Sequence, residues 1–177
     1  EPFITAKTGL KVADHQRRTV DNFFELRALG APVIPVLQGW SRGQYFDCLE
    51  LYDRAGINLR AEPVVGVGSV CRRQNTMSAA WLMRDLADEG LRIHGFGFKK
   101  TGLRACHDAL WSADSMAWSF HARREPPRQE CRGKHKNCAN CLPFALEWRE
   151  ELLSSLAARR ASPVHRQLSL FDHAGSA

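Results

Sequence analysis

No stretch of the 177 residues approaches the roughly 20 consecutive apolar positions that a membrane-spanning helix requires, which excludes a helical span. No basic segment followed by an apolar run opens the chain, so nothing reads as a secretory leader, and a reducing cytoplasm is the expected compartment. Methionine is scarce. There are three, the first at Met77, and residue 1 is Glu, so the chain is expected to begin inside a longer reading frame. Gly66-Val67-Gly68 lacks the third glycine of a dinucleotide fingerprint, which removes the commonest cofactor-binding explanation of such a turn. Acidic residues are in deficit. Asp plus Glu number 19 against 25 Lys plus Arg, and the net charge of +6 permits a polyanionic partner without requiring one. Apolar residues are not lacking: 44% hydrophobic and 25% charged are globular values, which excludes wholesale disorder.

Four short apolar runs, at 32–38, 63–68, 91–96 and 113–118, have the composition of buried strands ended by Gly or a polar turn. Helical patterns alternate with them. Residues 14–29 place Val20, Phe23, Phe24, Leu26 and Leu29 near one face. Residues 42–55 carry Tyr45, Leu49 and Tyr52 and stop at Gly56. Residues 78–89 carry Trp81, Leu82 and Leu86 behind Thr76 as N-cap and stop at Gly90, and a shorter helix is expected over 101–110. This alternation predicts right-handed βα units and a parallel, helix-clad sheet. Two architectures fit, a doubly wound sheet or part of a (β/α)8 barrel; four strands would be half of such a barrel. After Trp118 come a polar, Cys-rich loop and a helix over about 138–160. The expected division is a domain over 1–160 and a flexible tail over 161–177.

Six cysteines occupy positions 48, 71, 106, 131, 138 and 141. The first three stand alone in apolar surroundings, as small buried hydrophobes. The others belong to Cys131-x3-His135-x2-Cys138-x2-Cys141, within the loop 131–141, whose thiolates and imidazole can close a tetrahedral zinc shell. With four ligands no position is left for substrate, so such a zinc is structural. The alternative is a Cys138-x2-Cys141 redox pair at a helix N-terminus, which leaves Cys131 and His135 unexplained.

In parallel α/β folds chemistry gathers where strands end. Those ends carry Gln38 and Gly39, Gly66, Val67 and Gly68, His94 and Gly95, and Asp114. An amide beside small residues would form a slot for a flat heterocycle, although Gly at any one strand end is also ordinary punctuation. His94 is expected to line the pocket. Asp114 lies among Ala, Ser, Met and Trp. It can be a nucleophile toward an anomeric carbon, or it can cap a helix or pair with Arg123. Arg72-Arg73, Lys99-Lys100 and Arg123-Arg124 follow the same ends. Six Arg or Lys lie between 123 and 136 against Glu125 and Glu130, and clusters on one rim would hold phosphates.

On Val36-Leu37-Gln38-Gly39-Trp40, the segment 65–74 (VGVGSVCRRQ), His94-Gly95-Phe96-Gly97, the segment 112–118 (SADSMAW) and the Cys-His-Cys-Cys loop, the chain resembles the guanine transglycosylase superfamily over about residues 1–150. It is most similar to the DpdA-type branch, which acts on DNA, and is queuine tRNA-ribosyltransferase-like more broadly. The resemblance implies the C-terminal half of a (β/α)8 barrel, about four βα units, with a zinc loop and a helix after it. It implies a transglycosylase that exchanges guanine in DNA for a 7-deazaguanine in a bacterial or phage-infected cell. By that likeness Gln38 and Gly39 contact the base, Gly66 to Gly68 line its slot, and Asp114 forms a covalent deoxyribosyl ester. Asp114 precedes Ala122-Arg123 at the spacing of the tRNA enzymes, but their Pro-Thr-Arg is replaced by Trp118-Ser119-Phe120, and the zinc His sits inside the Cys cluster. The first four strands would come from a missing N-terminal half or from a second copy, and they would bring the second catalytic acid. These residues alone are therefore expected to be inactive and poorly soluble. The other readings are a non-catalytic, zinc-stabilised nucleic-acid-binding module and a tRNA-guanine transglycosylase.

Overall fold

A computed structural model describes residues 2–70 and 76–160. The pair Arg72-Arg73 and the expected tail over 161–177 lie outside the described residues. The chain separates into two compact units, residues 1–115 and 116–177.

The first unit opens with two helices, α1 (Pro2–Thr8) and α2 (Val12–Ala28). Strand and helix then alternate: β1 (Val36–Leu37), α3 (Arg42–Arg54), β2 (Val65–Val67), α4 (Met77–Asp88), β3 (Ile93–Gly95), α5 (Lys100–Cys106) and β4 (Ser112–Ala113). The strands form one parallel sheet in the order β1-β2-β3-β4. Every crossover therefore steps to the next strand in the same direction. Right-handed crossovers of that kind put their helices on one face, whereas a doubly wound sheet reverses direction.

Burial agrees with one clad face. In-register pairing puts Leu37 beside Val67, with Val65 and Ile93 on the same side of the pleat, and all four are fully buried. In the other row Gly66 is buried, Val36 and His94 are half-buried and Ser112 is exposed. Cover on one face rather than two is a difference from the expected helix-clad sheet.

The helices follow their sequence signals closely. Ser41 accepts the Gln44 N–H while the Gln44 side chain reaches back to Ser41, a capping box that starts α3. Thr76 caps α4 by accepting the Ala79 N–H. Gly56 and Gly90 stop α3 and α4 with φ of 83° and 82°, where a Cβ would be strained. The buried stripe of α2 is Gln16, Val20 and Phe23, while Phe24, Leu26 and Leu29 are exposed; Trp81 of α4 is exposed too. The fourth apolar run differs most. Pairing stops at Ala113 and residues 117–122 form a helix, α6 (Ala117–Ala122), because a short apolar run has no period that separates strand from helix.

Among the described residues the second unit comprises α6, a loop with a 3-10 turn (Gln129–Cys131), and α7 (Leu142–Arg160). Its small core joins Ala122 to Cys131, Cys138 and Cys141, with Phe144 packed on them. Arg128 pairs with Glu130 and Glu147 across the loop. Among the described residues no helix is long and apolar enough to cross a membrane.

Candidate active site and metal centre

Gln38, Gly68, Phe96 and Asp114 continue the Val36 row two residues further along, at the C-terminal ends of the strands. The bonds Gly68 N–H to Leu37 O (2.9 Å) and Asp114 N–H to Gly95 O (3.4 Å) carry the register that far. At about 4.8 Å per strand, Gln38 and Asp114 stand three spacings, about 14 Å, apart. Two side chains and a purine can fill such a span.

The Gln38 end is held by groups that are themselves buried. Gln16, 2% exposed, donates its amide to the carbonyls of Gln38 (2.7 Å) and Gln44 (2.6 Å). Gln44 accepts the Trp40 N–H at 2.8 Å, and the buried Tyr45 hydroxyl donates to Gly68 O at 2.8 Å. Ser69, with φ of 59°, turns the chain in a conformation that few non-glycine residues adopt. A cleft of about 240 Å³ opens here, lined by Ile4, Val12, His15, Gln38, Gly39 and Ser69. Sequence reasoning missed Gln16, His15 and Ser69. Gln16 had a legible signal, being the one polar side chain in the buried i, i+4, i+7 stripe of α2.

The strand-end glycines make room for rings. A Cβ on Gly39 would lie 2.9 Å from the Tyr45 backbone nitrogen and 3.0 Å from its ring. On Gly66 it would lie 2.5 Å from the Phe96 ring, and on Gly95 2.7 Å from the Phe98 ring. Val67 is fully buried toward the helices. Of the expected slot residues 66–68, Gly68 is the one with open surface, since Phe96 covers Gly66.

At the other end of the row Asp114 is about half exposed. Its Oδ1 accepts the Gly97 N–H at 2.9 Å and lies 3.4 Å from His94 Nε2. His94 Nδ1 is 2.9 Å from Ser112 Oγ, and Phe96 meets the imidazole edge-on at 4.8 Å between centroids. A carboxylate fixed through one oxygen and open to solvent can act as a nucleophile. Lys99 and Lys100 begin α5, just beyond the same strand ends. Arg123 and Arg124 are exposed at the end of α6 in the second unit, with the Arg124 guanidinium 3.9 Å from the Phe120 ring centroid.

In the second unit Cys131, His135, Cys138 and Cys141 bring their donor atoms within 4.8 Å of one another. Cys131 Sγ and Cys141 Sγ are 3.8 Å apart, and His135 Nε2 is 3.4 Å from Cys138 Sγ. A tetrahedron with Zn–S arms of about 2.3 Å has S···S edges of about 3.8 Å. Convergence of all four donors suits a metal ion, consistent with structural zinc, better than a two-thiol redox pair. Burial pushes the Cys131 thiol up to about 11, and the Phe144 backbone N–H holds Cys141 below its ordinary value. A bound dication would draw the protons from all three thiols. By contrast, Cys48 and Cys106 are fully buried, and burial raises both to about 11. They are packing residues.

Among known protein families, the model described as DeoxyPurine in DNA protein A (DpdA) matches the chain over residues 1–172. No curated protein and no solved structure matches the chain.

Proposed function

The chain belongs to the DpdA family, which ties it to deazapurine modification of DNA, and from that membership we propose that it is a transglycosylase exchanging guanine in DNA for a 7-deazaguanine. The observation that carries the chemistry is Asp114, held through Oδ1 at a strand end, half exposed, and in one row with Gln38. Its carboxylate attacks C1′ of the deoxyribose and guanine leaves. The incoming 7-deazaguanine then displaces the aspartate, and two inversions restore the β configuration without an energy source. Gln38 reads the base edge from the Gln16-braced end of the row, with Gly39, Gly68 and the backbone at Gly95 beneath it. His94 lines the sugar side. Lys99, Lys100, Arg123 and Arg124 hold backbone phosphates, and Arg72 and Arg73 are assigned the same role from sequence.

The fold that serves this reaction is the C-terminal half of a (β/α)8 barrel, within a domain over 1–160. The one-way strand order and the single clad face support it, because in a closed barrel the Gly66–His94–Ser112 face turns inward. The Cys-His set holds a structural zinc that fastens the loop to α7.

Asp114→Asn tests the reading. Full-length protein incubated with a guanine-containing oligonucleotide should form an adduct that survives denaturing electrophoresis, and the Asn variant should form none. An adduct persisting in that variant means another nucleophile. The self-contained metal loop of the second unit favours one further reading, a zinc-stabilised DNA-binding module without catalysis. It is the correct one if the protein binds DNA and releases no labelled guanine from it. Release from tRNA in place of DNA would mark a tRNA-directed exchanger.

A further inference from the structure

His94 and Ser112 are 18 residues apart in sequence and adjacent in the sheet, and His94 also lies beside Asp114. Ser112 Oγ lies 2.9 Å from His94 Nδ1, and a hydroxyl that donates there leaves Nε2 as the protonated nitrogen. That Nε2 faces Asp114 Oδ1 at 3.4 Å. Phe96 holds the ring from a third side, and the ring of Phe96 is itself seated on Gly66. The Gly97 N–H reaches the same Oδ1 at 2.9 Å from a backbone with φ of 67°, which suits glycine. The Gly97 N–H bonds, and the His94 ring nitrogen approaches, one and the same oxygen of a carboxylate that has two.

We propose that His94, its tautomer fixed by Ser112, is a positioning residue for Asp114: with the Gly97 amide it clamps Oδ1, so that Oδ2 is the oxygen that bonds the sugar. The proposal rests on the reading of Asp114 as nucleophile. In the first displacement an Oδ2 electron pair forms the bond to C1′. The C1′–N9 bond breaks toward the purine, and the departing guanine takes a proton from solvent. In the second, the incoming 7-deazaguanine loses its N9 proton to solvent and bonds C1′ as the C1′–Oδ2 bond breaks. His94 keeps its Nε2 proton throughout. In the ester Oδ1 is the carbonyl oxygen, and its two donors favour return to the carboxylate, which assists the second displacement. They also hold the carboxyl plane toward the sugar in the first.

The test is carried out on full-length protein with a guanine-containing oligonucleotide and labelled 7-deazaguanine. His94→Ala should slow exchange by about tenfold to hundredfold, the range of one charge-assisted hydrogen bond, in kcat with the KM for DNA unchanged. His94→Gln, whose amide N–H extends toward the Nε2 position, should regain most of that loss. Nitrogen NMR of histidine-labelled protein should show His94 as the Nε2–H tautomer, and Ser112→Ala should mix the tautomers. Exchange at the wild-type rate in His94→Ala, a Gln variant no better than Ala, or an Nδ1–H tautomer would each overturn the clamp. Failure of the underlying reading shows separately, as an adduct that survives Asp114→Asn. A dead Asp114→Asn beside an unimpaired His94→Ala removes the clamp alone.

Discussion

Gly66 and Gly95 lie on neighbouring strands one residue out of register and are both spaces for a ring, yet the two rings differ in freedom. Phe98, against Gly95, is fully buried, whereas Phe96, against Gly66, is 36% exposed. A methyl added at 95 has nowhere to send its neighbour, so Gly95→Ala should destabilise by about 1–3 kcal/mol, read as a lower urea midpoint at unchanged slope. A methyl added at 66 can push Phe96 into solvent and should cost less while changing the surroundings of His94. Equal midpoints for the two variants would contradict this account. At this scale the sequence signalled strand ends and an acid out of place. It did not show that the glycines face aromatic rings from their own unit, because Tyr45, Phe96 and Phe98 reach back only once the chain has turned.

Among the elements, the loop that carries the Cys-His set is the one whose order the proposed zinc would govern. Among the described residues the second unit's buried cluster is Ala122 and three cysteines with Phe144 packed on it, with Ser119, Ala139 and Leu152 buried besides, and a core that small gains much from a cross-link. Removing metal with a chelator, or replacing Cys138 by Ser, should therefore raise hydrogen exchange over residues 116–160. The strands of the first unit should keep their protection. Uniform loss across both units, or no loss at all, would show that the loop does not need the ion. The ligand spacing was legible from sequence because all four donors lie within eleven positions, so convergence needs no long-range contact. The short helix α6 was not legible, since Met116, Ala117 and Trp118 suit a strand as well as a helix.

For the whole molecule, buried acids shape the response to base, and among the described residues of the first unit three are shifted upward. Burial raises Cys48 and Cys106 from 9.0 to about 11 and Tyr52 from 10.0 to about 12. Their folded-state values lie above the unfolded ones, so the folded state keeps protons that the unfolded chain gives up. The stability they contribute is complete below about pH 9 and is lost as pH rises through 9–12. The thermal midpoint should be flat in this respect up to pH 9 and fall steeply above it, and Cys48→Ala should make the fall shallower. A midpoint rising between pH 9 and 11 would have the sign wrong. All three groups sit in the first unit, which also carries Asp114, so the proposed base exchange should be lost over the same window.

By itself the amino-acid order determined the alternation of strand and helix, the caps Ser41 and Thr76, the stops at Gly56 and Gly90, and the Cys-His cluster. Each of these is a local event, decided by side chains within a few positions of one another. Only the tertiary structure decided that the four strands run in one direction of travel, that one face of the sheet is clad, and that Gln16 braces Gln38. It alone brought Ser112 to His94 and His94 to Asp114. The register between parallel strands comes from packing of the helices that join them, and no pattern along a single strand records which residue of its neighbour lies alongside.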